Sequence, residues 1–171
     1  IDLQWNFRRL PKDNLFQLIP KTKKLRLNLS PDIFKIRGRY NLMGFRQKES
    51  DFQYSASMSF KPKKNLSEAG LSIFSQDDNF INFTVIKEGS QTLLNLYIKP
   101  RNEDLLKIKS IPIKYTKNII LKIVSKNNQY SYLYSINDGE SYDLFSKTDA
   151  NIVLCKGYIG TNLGLYASSN G

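Results

Sequence analysis

The sequence contains no histidine and a single cysteine, Cys155, among its 171 residues. The missing imidazole excludes Ser-His-Asp triads, His-ligated zinc sites and the usual neutral-pH proton shuttle. One cysteine excludes an internal disulfide and a multi-cysteine metal site. We interpret Cys155 as a buried inert thiol, because no histidine is present to activate it as a nucleophile. The composition therefore removes most of the common catalytic arrangements.

Long apolar runs are also missing, since none approaches the ~18 residues needed to cross a bilayer. The sequence therefore predicts no transmembrane segment and no membrane partner. Apolar residues still make up 40% of the chain and charged residues 24%, which is typical of a folded globular protein. The length fits one domain, and no linker-like or repeated segment divides it. We expect residues 1–171 to form a single domain.

Positive charge is in excess, because 26 Lys and Arg residues face 15 Asp and Glu residues, a formal charge of +11. The excess is spread along the chain and is mostly lysine, a poorer phosphate-recognition residue than arginine. The densest cluster alternates with apolar residues and forms no long block (Lys21, Lys23, Lys24 and Arg26). We expect no nucleic-acid partner, and polyanion binding, which would weaken strongly with salt, is the lowest-ranked function.

The dominant period of the sequence is two, which is typical of strands with one buried face. Residues 52–60 alternate apolar side chains with Gln and Ser, and the pattern recurs at residues 25–29, 81–85, 94–98, 119–123 and 130–134. Turn-forming residues separate these runs. No segment of ten or more residues has a helical period, and residues 102–109 predict one helical turn or an irregular link.

These ten to twelve short strands predict an all-β fold, namely a two-sheet antiparallel β-sandwich of the jelly-roll type. The aromatic stripes at residues 52–54 and 130–134 are expected to face its core. Asp77, Asp78 and Asp138 are weak candidates for a calcium site, because carboxylates and turn carbonyls are the ligands that calcium takes. Each of the three also fits an ordinary turn. No other cofactor is expected.

Six segments, in order along nearly the whole chain, resemble one known family. They are residues 3–11 (LQWNFRRLP), 25–27 (LRL), 44–47 (GFRQ), 60–71 (with EAGL at its end), 130–139 (YSYLYSINDG) and 157–167 (GYIGTNLGLYA). Together they resemble the C-terminal β-sandwich domain of glycoside hydrolase family 43, which contains β-xylosidases and α-L-arabinofuranosidases. The strand that closes this domain in the family has no counterpart after Ala167.

The resemblance implies a concanavalin A-like jelly roll that follows a five-bladed catalytic propeller. The propeller, not the sandwich, carries the carboxylates of the family. The present sequence begins within a strand-like pattern, so we interpret it as a fragment of a longer chain. Its parent could be cytoplasmic or secreted.

The acidic residues of the chain agree with a non-catalytic domain. Glycoside hydrolysis needs two carboxylic acids about 5–9.5 Å apart, one with a raised pKa. Here the acidic residues fall almost entirely in turn-like segments, and none is set within an inward-facing apolar pattern that would raise its pKa. We therefore expect no catalytic residue in this chain.

Carbohydrate contact is expected from aromatic and polar side chains. The candidate rings are Trp5, Tyr40, Phe45, Tyr97, Tyr142 and Tyr158. Tyr158 matches the aromatic residue of a family loop that, in several members, reaches toward the substrate pocket of the propeller. A rim aromatic without a function is an equal alternative for Tyr158. For Trp5 burial in the core is favoured over sugar stacking. Arg46 and Gln47, at the start of a predicted strand, are candidates to bind sugar hydroxyls or the propeller.

The favoured function is a non-catalytic accessory domain of a family 43-type glycosidase that acts on xylan or arabinoxylan oligosaccharides. The domain would pack on the catalytic propeller of the same protein and shape its substrate pocket. Its partners would be that propeller and an oligosaccharide. The alternative is a free-standing carbohydrate-binding module, whose open sheet face would carry two or more exposed rings.

Overall fold

A computed structural model of the chain describes residues 4–7, 15–32, 41–153 and 160–171. These residues form thirteen β-strands and two short 3-10 turns, Pro20–Thr22 and Ala150–Val153. Among them, no helix has the length and hydropathy that crossing a membrane requires. The strands are β1 (Asn6–Phe7), β2 (Phe16–Ile19), β3 (Lys24–Leu27), β4 (Asn41–Arg46), β5 (Phe52–Met58), β6 (Glu68–Gln76), β7 (Asn79–Glu88), β8 (Gln91–Lys99), β9 (Leu106–Pro112), β10 (Ile119–Lys126), β11 (Gln129–Ser135), β12 (Asp143–Asp149) and β13 (Asn162–Ser168).

The strands form two large sheets and one separate hairpin. The larger sheet has seven strands in the order β1-β4-β13-β6-β7-β8-β9, and the smaller has four in the order β12-β11-β10-β5. Strands β2 and β3 form the hairpin. Paired strands run antiparallel in both large sheets. The all-β antiparallel sandwich predicted from the sequence is confirmed.

The hydrophobic core lies between the two large sheets, where the predicted apolar stripes meet. The inward side chains of β7 and β10 are at most 1% exposed and belong to one cluster (Ile81, Phe83, Val85, Ile119, Leu121 and Ile123). The Phe83 ring lies 5.6 Å from the Tyr132 ring and 5.3 Å from the Phe145 ring, centroid to centroid. Tyr130 and Tyr132 are buried, as the stripe predicted.

Residues 102–109 differ from the prediction of a helical turn or an irregular link. The chain turns near Asn102 and then enters β9, which pairs with β8 at the edge of the larger sheet. Only Leu106 to Lys109 alternate in the sequence, and this short alternation does not reflect a buried face, because apart from Ile111 every residue of β9 is exposed. An edge strand can form from backbone pairing alone, without a buried face.

Candidate functional site

The segment that contains Tyr158 is held at both of its ends. Val153 precedes the segment, and Gly160 and Thr161 follow it, while Tyr158 itself lies outside the described residues, as do Tyr40 and Cys155. The Thr161 Oγ1 hydroxyl donates a hydrogen bond to the Val153 carbonyl oxygen at 2.9 Å. This bond places the two ends of the segment side by side at the start of β13.

Arg46 lies beside the same segment, at the end of β4 and not at the start of a strand as predicted. Its strand begins at Asn41, because pairing with β13 continues from Ala167 back to Asn162, which is opposite Arg46. Arg46 is exposed, and a Cβ built on Gly160 would lie 2.7 Å from its Nε. Gly160 also has a φ of +71°, which favours glycine. Glycine therefore lets the Arg46 guanidinium rest against the end of the Tyr158 segment.

Gln47, which likewise follows β4 instead of starting a strand, joins this arrangement through its backbone. Its N–H donates to the Thr161 carbonyl oxygen at 2.9 Å. Its side-chain Nε2 donates to the Glu49 carbonyl oxygen at 2.9 Å, whereas Oε1 is buried and has no partner among the described residues. A buried acceptor without a partner costs about 1–3 kcal/mol. Gln47 therefore offers an unused acceptor next to the Tyr158 segment.

Trp5 packs within the domain. Its ring meets the Phe45 ring edge-on at 5.1 Å, and Phe45 meets Tyr54 of the opposite sheet at 5.6 Å. Trp5 is half-buried. The structure thus places Trp5 and Phe45 in one aromatic row, with Arg46 directly after Phe45. Sugar contact by Trp5 stays a prediction.

The three candidate calcium ligands occupy two separate turns. Asp77 and Asp78 form the turn between β6 and β7, and Asp138 has a φ of +58° in the turn after β11. The second turn is closed by Asn137, whose Oδ1 accepts from the Ser141 N–H at 3.2 Å. In the described part of the chain, no group of three or more acidic or cysteine side chains could hold a metal ion. Calcium binding stays a prediction.

A buried carboxyl group on the outer face of the larger sheet contradicts one expectation from the sequence. Glu68, in β6, is only 6% exposed, and burial raises its pKa although hydrogen bonds from Asn170, Thr84 and Tyr166 lower it. Thr84 Oγ1 donates to its Oε2 at 3.1 Å, and Asn170 Nδ2 donates to its Oε1 at 3.0 Å. We expected no acidic residue within an inward-facing apolar pattern that would raise its pKa; Glu68 faces outward, yet burial raises its pKa, so only the expected absence of a raised pKa is wrong.

Glu68 is buried because the outer face of the larger sheet is itself largely buried. Leu71 and Ile73 of β6 belong to the core, so Glu68, which is out of phase with them, lies on the face away from the core. However, its neighbours on that face are also covered (Ser72, Asn82, Thr84 and Asn95). A single sequence shows which residues share a face, but not whether loops cover that face.

Glu88 lies on the same outer face, near Glu68, but its pKa is lowered, whereas the pKa of Glu68 is raised. Burial alone would raise its pKa, but hydrogen bonds from Lys107 and Asn95 and the charge of Lys107 lower it overall. The Lys107 Nζ is 3.0 Å from the Glu88 Oε1, and the Tyr97 hydroxyl donates to the same oxygen at 3.3 Å. Glu88 is therefore an ionised carboxylate whose charge is balanced within the domain.

Two asparagines are the local sequence signal for this polar face. Asn82 and Asn95 lie in the interiors of β7 and β8, and asparagine is depleted in strands. Both are at most 5% exposed. An asparagine in an otherwise apolar strand therefore indicates that the outward side chains are buried.

The buried Glu68 predicts a particular dependence of stability on pH. The pKa of Glu68 is raised on folding, so as pH rises the carboxyl group ionises in the unfolded chain before it ionises in the folded one. Glu68 therefore lowers the free energy of unfolding as pH rises from about 4.3 to its pKa in the folded domain. Glu68→Gln is expected to remove this cost and to flatten the pH dependence over that range. Urea unfolding at several pH values measures it. The matched control is Glu88→Gln, because folding lowers the pKa of the Glu88 carboxyl group. This variant should be less stable than the parent chain at neutral pH, but not in acid. An unchanged pH profile for Glu68→Gln contradicts the burial argument.

Comparison with known proteins matches the chain to one domain family. The family described as the beta xylosidase C-terminal concanavalin A-like domain matches residues 1–171. The chain is 26% identical over 162 residues to a xylosidase/arabinosidase from Butyrivibrio fibrisolvens, covering 93% of this chain and 31% of that protein. It is 26% identical over 174 residues to a non-reducing end α-L-arabinofuranosidase from Bacteroides ovatus, covering 100% of this chain and 32% of that protein.

A solved structure shows the same fold. The crystal structure of a GH43 protein from Bacillus licheniformis matches with a TM-score of 0.89 at 21% identity, over 100% of this chain and 34% of that one. The chain thus spans about one third of the length of the proteins that it matches.

Proposed function

Because the chain belongs to the family of β-xylosidase C-terminal concanavalin A-like domains, we propose that it is a non-catalytic accessory domain of a glycosidase. It packs on the catalytic propeller domain of the same protein and forms one wall of that domain's substrate pocket. The substrates are oligosaccharides of xylan or arabinoxylan. The names of the two curated relatives, a xylosidase/arabinosidase and an α-L-arabinofuranosidase, support this substrate class.

The observation that carries the proposal is the anchored base of the Tyr158 segment. Thr161 bonds to Val153 on one side of the segment and to Gln47 on the other, so three separate parts of the chain meet there. Arg46 adds an exposed cation at this base, and Gln47 adds an unused acceptor. The two ends of the segment lie beside each other, and the exposed Arg46 guanidinium next to them can hydrogen-bond sugar hydroxyls or the propeller.

The proposal predicts that Tyr158 contributes to substrate binding in the full-length parent enzyme. Tyr158→Ala is expected to raise the KM for a disaccharide such as xylobiose about fivefold or more, because a ring contact worth about 1 kcal/mol is lost. Tyr158→Phe should keep most of the affinity, since it keeps the ring. Steady-state kinetics on the parent and both variants measure the effect.

A matched control is available in Tyr142→Ala. Tyr142 precedes β12, at the opposite end of that strand from Val153, and its ring contacts the Lys122 ammonium at 4.3 Å. This variant should leave KM unchanged. Equal kinetic constants for Tyr158→Ala and the parent would contradict the pocket-wall role.

The exposed surface favours this proposal over an open ring-lined binding face. In the described residues, the exposed large hydrophobic side chains are all aliphatic (Leu18, Leu29, Leu66, Leu106, Ile108, Ile136 and Leu144). A free-standing carbohydrate-binding module with a flat platform needs exposed aromatic rings. The described part of the outer sheet face instead buries Phe80 and Tyr166.

A further inference from the structure

A cleft of about 230 Å³ opens on the outer face of the larger sheet, around the Glu68 and Glu88 groups. Strands β6, β7, β8 and β13 form its floor, and the loop residues Leu66, Leu105 and Asn170 form its rim. Its aromatic residues are Tyr97, which is partly exposed, and Phe80 and Tyr166, which are 3% and 2% exposed beneath it. The cleft is separate from the Tyr158 segment, whose ends lie beside Arg46 and Gln47 at the start of β13.

Asn82, in the wall of this cleft, has an unused hydrogen-bonding atom. The residue is 5% exposed, and its Oδ1 is buried with no partner among the described residues. The Ser72 Oγ, on the residue opposite Asn82 in the sheet, is also buried and unpartnered within that part of the chain. Buried polar atoms are nearly always hydrogen-bonded, so two neighbouring exceptions among the described residues set this part of the outer face apart.

We propose that this cleft binds a single saccharide residue, held by Asn82, Tyr97 and Glu88. A sugar ring presents apolar C–H groups to aromatic and aliphatic walls, and hydroxyls that both donate and accept. The exposed polar atoms of the cleft match those hydroxyls, because the Glu88 carboxylate is still partly exposed. Asn82 Oδ1 lies just beneath the cleft surface and lacks a donor among the described residues, so a hydroxyl reaches it only when the Asn82 side chain turns toward the cleft. The volume lies below the ~300 Å³ at which sites for larger ligands begin, which fits one ring.

The charges of the cleft disfavour other small ligands. An anion such as phosphate would face two carboxyl groups, and Lys107 is already paired with Glu88. A metal ion would face the Lys107 ammonium, and both Glu68 oxygens are occupied by Thr84 and Asn170. A neutral polyhydroxy ligand avoids both penalties.

Glu68 acts in this site as a positioning residue. It accepts from Asn170 Nδ2, which also donates to the Leu66 carbonyl oxygen at 2.8 Å. Glu68 therefore fixes two residues of the rim without contacting the ligand.

The test is a titration of the 171-residue chain, followed by NMR, with xylobiose and L-arabinose as probes. The choice of pentoses rests on the proposed function. Saturable, millimolar shifts are expected for at least one of the two sugars, concentrated at Asn82, Tyr97 and Asn170. The absence of saturable shifts at these residues with both sugars overturns the proposal.

The decisive variant is Asn82→Leu, which keeps the branching and the number of side-chain heavy atoms but removes the unpartnered amide oxygen. We expect its affinity for the sugar to fall at least tenfold, with a free energy of unfolding equal to or above that of the parent chain, because an unpaired buried acceptor is lost. The control Gln91→Leu, at an exposed position of β8, should keep the affinity. Unchanged sugar affinity in Asn82→Leu contradicts the proposal, as does loss of stability without loss of binding.

A second variant keeps the test decisive if Asn82→Leu does not fold. Tyr97→Phe removes only the hydroxyl that donates to Glu88, and it should weaken binding severalfold. Equal affinity would contradict the role of Tyr97. Because this titration involves no catalytic domain, its failure leaves the Tyr158 prediction untouched, and the reverse also holds.

Discussion

Phe83→Ala is expected to lower the free energy of unfolding by about 3–5 kcal/mol, a large part of the roughly 5–15 kcal/mol typical of a domain. Phe83 has no exposed surface and lies in the middle of β7, a central strand of the larger sheet. Its ring contacts Tyr132 and Phe145, which belong to the smaller sheet. Truncation would therefore open a cavity where the two sheets meet. The sheets cannot move together to fill this cavity without breaking hydrogen bonds between their paired strands.

Urea unfolding, followed by tryptophan fluorescence and circular dichroism, measures this loss. The matched control is Phe52→Ala, because Phe52 is a half-buried phenylalanine at the start of β5, with its ring 6.0 Å from that of Tyr130. Its loss should be clearly smaller, since its side chain is already partly solvated. A loss for Phe83→Ala that is no larger than that for Phe52→Ala would contradict the position of the core.

The sandwich could be predicted from the sequence because every second position of its central strands is apolar. In β7 and β10 these positions are buried between the sheets (Ile81, Phe83, Val85, Ile119, Leu121 and Ile123). Burial of one strand face produces this pattern directly. In β9 the alternation covers only Leu106 to Lys109, and its apolar side chains are not buried, because the strand lies at an edge, where Leu106 and Ile108 are 45% and 43% exposed.

The candidate site could be predicted only in part. The resemblance named Tyr158, Arg46 and Gln47, but the proximity of Arg46 and Gln47 to the ends of the Tyr158 segment depends on the pairing of β4 with β13, which are more than a hundred residues apart. A single sequence does not show such a pairing. The prediction that Arg46 starts a strand is wrong, because Arg46 ends β4. The end of β4 is fixed by pairing of Arg46 with Asn162 and not by a local turn signal.

The outer cleft could not be predicted, because its polar residues resemble an ordinary solvated face in the sequence. Glu68 and Thr84 occupy outward positions, which are usually exposed to water. Their burial depends on loops from distant parts of the chain, including Asn170. The placement of Asn82 within an apolar strand is a local signal, but it indicates burial more than it indicates a ligand.

The second large effect expected is the complete absence of glycosidase turnover by this chain alone. The Glu68 and Glu88 carboxyl groups are the natural candidates for a catalytic pair, because environments that push the pKa values of two acids apart are typical of such pairs. The hydrogen bonds argue against catalysis. Both Glu68 oxygens accept from groups of the domain, and Glu88 is paired with Lys107, so neither is placed to protonate or attack a glycosidic bond.

The most direct test of the accessory role is therefore an assay of the purified 171-residue chain on aryl xylosides and aryl arabinosides. We expect no turnover above the rate in buffer, for the parent chain and for Glu68→Gln and Glu88→Gln alike. Turnover by the parent chain that either substitution abolishes would show that the domain carries a catalytic centre of its own, and it would contradict the accessory role.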